Sequence, residues 1–142
     1  MKEAIVNFTK EELAQIGSKI GADVPFFVYD FDSANVSGFG EVVKEYPEEA
    51  MDLEIFTPPV ECDTKDVYMK YRELNRDKSP DKESFDWESR DSRDILRDIK
   101  EPTRLNDLLS PALELYPSLK GYLKSDYYFS GSGSSLFRVL NL

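Results

Sequence analysis

The chain has 142 residues, 40% of them hydrophobic and 13% aromatic, which is enough to bury a core and argues against disorder. A formal net charge of -10, from 18 basic and 28 acidic residues, argues against nucleic acid as a partner, since a phosphate backbone is held by clustered Lys and Arg. With no histidine and a lone Cys62, there is no basis for a His-containing triad, a histidine-zinc site or an intrachain disulfide, and any proton transfer falls to a carboxylate, Lys or Tyr. No apolar run approaches the roughly 20 residues that span a bilayer, and Met1-Lys2-Glu3 opens no signal-peptide pattern, so a cytoplasmic protein without a membrane partner is expected.

Thr9-Lys10-Glu11-Glu12 fits a capping box at a helix start. Leu13, Ile16 and Ile20 recur at helical spacing, and Gly21 is a plausible stop. Pro25 keeps the helix from resuming, and the apolar run Phe26 to Tyr29 reads as a buried strand. Ala34 to Tyr46 alternates around Ser37-Gly38-Phe39-Gly40, which predicts a hairpin. A boundary is expected near Pro47–Asp52. Beyond it, Leu53, Ile55 and Phe56 suggest a strand broken by Pro58-Pro59, and Asp63 or Thr64 can cap a helix carrying Val67, Tyr68, Tyr71 and Leu74. Asn75 to Arg104 is dense in both charge signs; it reads as a solvated loop with one short helix near Arg93–Ile99, its few apolar residues including Phe85 and Trp87. Asn106 to Leu109 and Ala112 to Leu123 look helical, and Tyr127-Tyr128-Phe129 and Leu136 to Leu140 read as strands flanking a Gly/Ser loop.

Three features carry candidate chemistry. Asp23 stands before the apolar run. By position it is a helix-end or turn carboxylate; as a functional group it would be a base at the mouth of a buried strand, its pKa raised by apolar Ala22, Val24 and Phe26. The Ser130-Gly131-Ser132-Gly133-Ser134-Ser135 run is too short and too tightly flanked for a linker, and its glycines would let backbone N–H groups approach a phosphate. No Gly-Lys-Ser/Thr follows, so it is not a Walker A loop. Tyr68 and Tyr71, three apart on one helix, are ordinary core residues or, if exposed, a surface for stacking a nucleobase.

Ile20-Gly21-Ala22-Asp23-Val24-Pro25-Phe26-Phe27, followed by Gly38-Phe39-Gly40-Glu41, resembles the 4-diphosphocytidyl-2-C-methyl-D-erythritol kinase family, GHMP-superfamily kinases of non-mevalonate isoprenoid biosynthesis. Asn106-Asp107-Leu108, Ala112-Leu113 and Leu119 after Tyr116-Pro117 resemble the helix that follows in that family, and Ser130 to Phe137 resembles its third motif. The resemblance implies that Asp23 is the catalytic aspartate, accepting or orienting the proton of the substrate hydroxyl as it attacks the γ-phosphate of ATP. It implies that Tyr68 binds substrate by stacking on cytosine, and that Gly131, Ser132 and Gly133 pack beside the phosphates. ATP with Mg2+ is the implied donor and a cytidyl-diphosphate polyol the implied small-molecule partner; no residue is assigned as a metal ligand.

Two elements of the family pattern are missing. No glycine- and serine-rich phosphate cradle precedes Asp23, and Lys2 and Lys10 do not sit in the motif of the family's lysine. The resemblance thus implies an α+β fold in two parts. Residues 1–49 would be the last helix and hairpin of an ATP-binding domain, and residues 50–142 a GHMP-kinase-type C-terminal α/β sandwich. The isolated chain would be inactive, and the face left uncovered would favour self-association. The alternatives are another GHMP small-molecule kinase, a non-catalytic binding or dimerising module, and an independent small enzyme built on Asp23.

Overall fold

A computed structural model describes residues 7–77, 87–99 and 102–142; Lys2 and Phe85 lie outside these, as does the side chain of Trp87. The fold is mixed helix and sheet, with small antiparallel sheets. It divides into two compact units, Met1–Ala50 and Met51–Leu142.

In the first unit, helix α1 (Lys10–Gly17) starts on the predicted capping box. The Glu12 N–H donates to Thr9 Oγ1 at 3.2 Å, and the Thr9 N–H donates to Glu12 Oε2 at 2.9 Å. The helix ends at Gly17, a turn before Gly21, and tightens into successive turns as the Ile20 and Gly21 N–H groups donate to Gly17 O. Its buried face is Ala14 and Gly17, whereas Leu13, Ile16 and Ile20 (80% exposed) face outward, opposite to the core role their spacing suggests.

The apolar run after Asp23 is helical rather than extended. It forms α2 (Val24–Tyr29), with the exposed Phe27 on one side. Two causes favour the helix. Pro25 falls in the first turn, where its fixed φ suits a helix and its missing N–H costs nothing. Gly17 opens room for a partner: a Cβ there would lie 2.6 Å from Val24 Cγ1 and 3.8 Å from Val28 Cγ2, residues one helical turn apart. A short continuous apolar run does not separate helix from strand, and packing on Gly17 decides. Strands β1 (Ala34–Ser37) and β2 (Val42–Glu45) form the predicted hairpin, with Val36 opposite Val43.

In the second unit, β3 (Leu53–Phe56), β4 (Tyr128–Phe129) and β5 (Leu136–Val139) form an antiparallel sheet in the order β3-β5-β4. Register places Phe56, Leu136 and Phe129 on one face, and Ile55, Phe137 and Tyr128 on the other. The first face packs on α3 (Thr64–Leu74) and α6 (Leu109–Leu115) through Val67, Leu109 and Ala112, with Leu119 beyond the end of α6 completing the cluster. The second is met by α4 (Ser92–Asp98) through Leu96, with Ile99 and Leu105 beside it, the latter ending α5 (Pro102–Leu105). The charged tract therefore contributes core: Ile95 and Leu96 are buried, and the Leu96 carbonyl accepts the Tyr128 hydroxyl. α6 is also shorter than predicted, giving way at Pro117 to a 3₁₀ segment, Pro117–Gly121.

One polar ladder crosses the sheet. Arg138 bonds Glu54 Oε2 at 2.8 Å across the β3–β5 pair and Asp126 Oδ2 at 3.2 Å, and the Tyr127 hydroxyl donates to Glu54 Oε1 at 2.7 Å. Arg138, then Tyr127, hold the Glu54 carboxyl below its ordinary value of 4.5. A depressed folded-state value contributes stability above the unfolded value and loses it as pH falls through the folded one. Glu54→Gln should therefore flatten the fall in urea midpoint below pH 4.5 and leave its shape near pH 7 unaltered. Leu109→Ala, at a side chain 1% exposed, should lower unfolding free energy by about 3 kcal/mol, against under about 1 kcal/mol for Leu53→Ala on exposed β3.

Candidate active site

Asp23 occupies the N-cap position of α2 yet makes no capping bond. An Asp at that position ordinarily accepts from the N–H of the second or third helical residue. Here the second is Pro25, which has none, and Asp23 has φ -85° and ψ -12° instead of the extended conformation that turns a cap side chain inward. The carboxylate is exposed, not buried as the strand reading implied, and no hydrogen bond or ion pair to it appears among the described residues.

The backbone under Asp23 is firmly held. Gly40, in the hairpin turn, has φ +120°, and a Cβ there would run into the Ala22 carbonyl. Only glycine allows that turn to close on the segment leading to Asp23. The turn is fixed in turn by Glu41, whose carboxylate accepts the Phe39 N–H at 2.6 Å. The Gly38-Phe39-Gly40-Glu41 stretch thus acts on Asp23 through its backbone.

The glycine loop lies in the second unit, between β4 and β5. Its base is closed by the Ser130 N–H donating to Ser135 O at 2.9 Å, and its tip by the Gly133 N–H donating to Ser130 O at 3.1 Å. Gly133 has φ +96°, and a Cβ there would stand 2.5 Å from Phe129 Cζ and 3.2 Å from Cys62 Sγ. Side chains tie the loop to the rest of the unit. Buried Ser134 donates to Pro58 O at 3.2 Å, the Ser135 and Thr57 hydroxyls pair at 2.9 Å, and those of Ser132 and Thr64 pair at 2.8 Å.

Sequence reasoning offered Thr64 as a possible helix cap. The cap is Asp63, accepting the Asp66 N–H at 3.0 Å, which leaves the Thr64 hydroxyl to Ser132. Tyr68 lies four residues on, over the same helix face. It is 47% exposed, so it is not core, whereas Val67 beside it is fully buried and Tyr71 is half-buried. The structure therefore joins the helix of Tyr68 to the loop of Gly131, Ser132 and Gly133 by one hydroxyl pair, while Asp23 belongs to the other unit. Asn106, in a stretch whose pattern suggests a helix start, bonds the Phe129 carbonyl at the end of β4 and the Gly131 carbonyl of the loop, across more than 20 residues. No local signal announces such a contact.

No family model matches the chain. Individual relatives do. It is 49% identical to the 4-diphosphocytidyl-2-C-methyl-D-erythritol kinase of Sulfurovum sp. (strain NBC37-1) over 130 residues, 91% of this chain and 51% of the relative. It is 48% identical to that of Sulfurimonas denitrificans over 134 residues, and 36% identical to that of Campylobacter jejuni subsp. doylei over 130 residues. Over the matched region the chain belongs to the 4-diphosphocytidyl-2-C-methyl-D-erythritol kinase family.

The chain spans about half the length of the kinases it matches. Coverage of 91% leaves too little outside the match to omit either unit, so the kinase homology includes the Asp23 unit and the glycine-loop unit alike. Among the described residues, no cluster of three acidic, histidine or cysteine side chains forms a metal-binding group, and no helix is long and apolar enough to cross a membrane.

The two glycine contacts give paired expectations. Gly133→Ala should cost about 2 kcal/mol or more, from a strained φ and a clash with Phe129. Gly121→Ala, with open space at its Cβ, should stay within roughly 0.5 kcal/mol. Urea denaturation of the two variants beside the parent chain measures both.

Proposed function

We propose that the chain supplies the acceptor side of an ATP-dependent kinase that phosphorylates the 2-hydroxyl of 4-diphosphocytidyl-2-C-methyl-D-erythritol. The observation that carries this reading is identity of 48–49% over more than nine-tenths of the chain to proteins named as kinases of that compound. In the proposed reaction the substrate oxygen attacks the γ-phosphorus of ATP, the bond from that phosphorus to the bridging β–γ oxygen breaks, and ADP leaves. Asp23 receives or orients the proton released by the attacking hydroxyl. Its exposed, internally unpartnered carboxylate and its backbone, held by Gly40, suit that task, because such transfers depend on positioning more than on covalent chemistry. Exposed Tyr68 stacks on the cytosine, and Gly131, Ser132 and Gly133 pack beside the phosphates. Mg2+ would accompany the ATP, and no residue of this chain is assigned to it.

The nucleotide side of such a site would come from the half of the kinase length that this chain does not match. Outward-facing Ile20, Phe27 (72% exposed) and Phe39 (92% exposed) on the Asp23 unit suit contact with another protein segment. The same exposure favours a second reading, a self-associating module, which sedimentation of the chain alone as a concentration-dependent dimer would support.

The 142-residue chain alone should not turn over ATP with the cytidyl substrate. Fused to the part of the Sulfurovum kinase that it does not match, it should do so, with ADP release and a new phosphate-ester signal by phosphorus NMR. Asp23→Asn in the fusion should then lower kcat by about 10²-fold or more with little change in thermal midpoint. Turnover by the isolated chain would refute the division of the site, and a folded but inactive fusion would refute the kinase reading.

A further inference from the structure

Asn106 is where the start of α6 meets the glycine loop. Its side-chain amide donates to Phe129 O at 3.0 Å and to Gly131 O at 2.9 Å, while its Oδ1 accepts the Leu108 N–H at 2.9 Å. An asparagine amide has two N–H donors and one carbonyl acceptor, so one donor is committed to the end of β4, the other to the loop, and the acceptor to the helix entry. Rotating the amide by half a turn would set its oxygen against two carbonyls and its NH₂ against an N–H. The orientation is therefore fixed by its surroundings.

The consequence falls on the peptide between Gly131 and Ser132. That peptide is trans, so its N–H points opposite to its C=O. With the Gly131 carbonyl drawn to Asn106, the Ser132 N–H is turned to the other side of the loop. No backbone acceptor takes it among the described residues, whereas the Ser130 and Gly133 N–H groups are both used inside the loop. The Ser132 hydroxyl is held separately by Thr64, so the residue is fixed by its side chain and by the preceding carbonyl while its N–H is left available.

We propose that Asn106 is the positioning residue of this loop: by holding the Gly131 carbonyl it aims the Ser132 N–H at the phosphoryl group being transferred, and it touches neither substrate nor nucleotide itself. This rests on the kinase reading above and adds a residue and a role to it. A preset N–H donor directed at developing negative charge is worth most where the site excludes water and least where the donor must first be turned into place.

Two variants and two readouts test it. Asn106→Asp keeps the side-chain shape and the acceptor for Leu108 but removes both donors; Asn106→Ala removes all three contacts. In the nitrogen-15 spectrum of the 142-residue chain, both variants should move the Gly131 and Ser132 amide signals and speed exchange of the Ser130 N–H by about tenfold or more, while the core amides of Val67 and Ala112 stay put. In the fusion kinase, both should lower kcat by about 10²-fold with KM for the cytidyl substrate within about threefold, the pattern of a contact made in the transition state. Unmoved loop signals in both variants overturn the proposal, whatever the enzyme does. Moved loop signals with unchanged kcat overturn it as well. If Asn106→Ala does not fold, Asn106→Asp carries both readouts. A folded fusion that is inactive before any substitution overturns the kinase reading instead, and the spectrum still decides whether Asn106 holds the loop.

Discussion

The second unit depends on β5 pairing along both edges. Residues 136–139 lie between β3, which precedes them by some 80 residues, and β4, joined to them by the glycine loop. Leu136 and Val139 are buried on opposite faces of the same short strand, so each of the two cores takes a wall from β5. The loop inherits its frame from this arrangement. Its two ends leave paired strands, its base is closed by the Ser130–Ser135 bond, and Phe129 in β4 fills the space that a side chain on Gly133 would need. A change that loosens β5 would therefore disturb the loop before it disturbed the helices.

The sequence made some of this visible and hid the rest for identifiable reasons. Thr9 with Glu12, Asp63 with Asp66, and the β1–β2 hairpin are interactions within a few residues, and local chemistry specified each. Strands β3, β4 and β5 could be read from their apolar and aromatic content and from the glycines and prolines beside them. α2 could not, because Val24 and Val28 become helical by packing on Gly17, a contact that no window around Pro25 contains. The apolar spacing of α1 misleads for a related reason: Ala14 and Gly17 are buried because they are small enough for α2 to approach, and larger Leu13 and Ile16 are turned outward. In the charged tract, dense Asp and Arg masked the pair Ile95 and Leu96, which reach the core while their neighbours stay in water.

The candidate residues lie in short stretches of sequence, whereas the contacts that hold those stretches do not. Asp23, Tyr68 and the glycine loop stand out as short patterns in the sequence. Their support comes from elsewhere: Gly40 beneath Ala22, Thr64 beside Ser132, and Asn106 beneath Gly131. Two kinds of support are in use. Asp23 is positioned by a backbone close approach, where any added atom collides, so tolerance at Gly40 is small. The loop is positioned by side-chain hydrogen bonds, each contributing about 0.5–1.5 kcal/mol net, so single losses are survivable and several together are not.

That difference bears on which residues can vary without loss of the fold. A loop held by Asn106, Thr64, Ser134 and Ser135 at once can lose one anchor and keep its path, since the Ser130–Ser135 closure, opening more often, and the Phe129 contact still define it. What one lost anchor removes is the orientation of an individual peptide, which stability measurements hardly register and a phosphoryl-transfer step would register strongly. The contacts around Ser132 are therefore better judged by the direction of the N–H they leave free than by the free energy they contribute to folding.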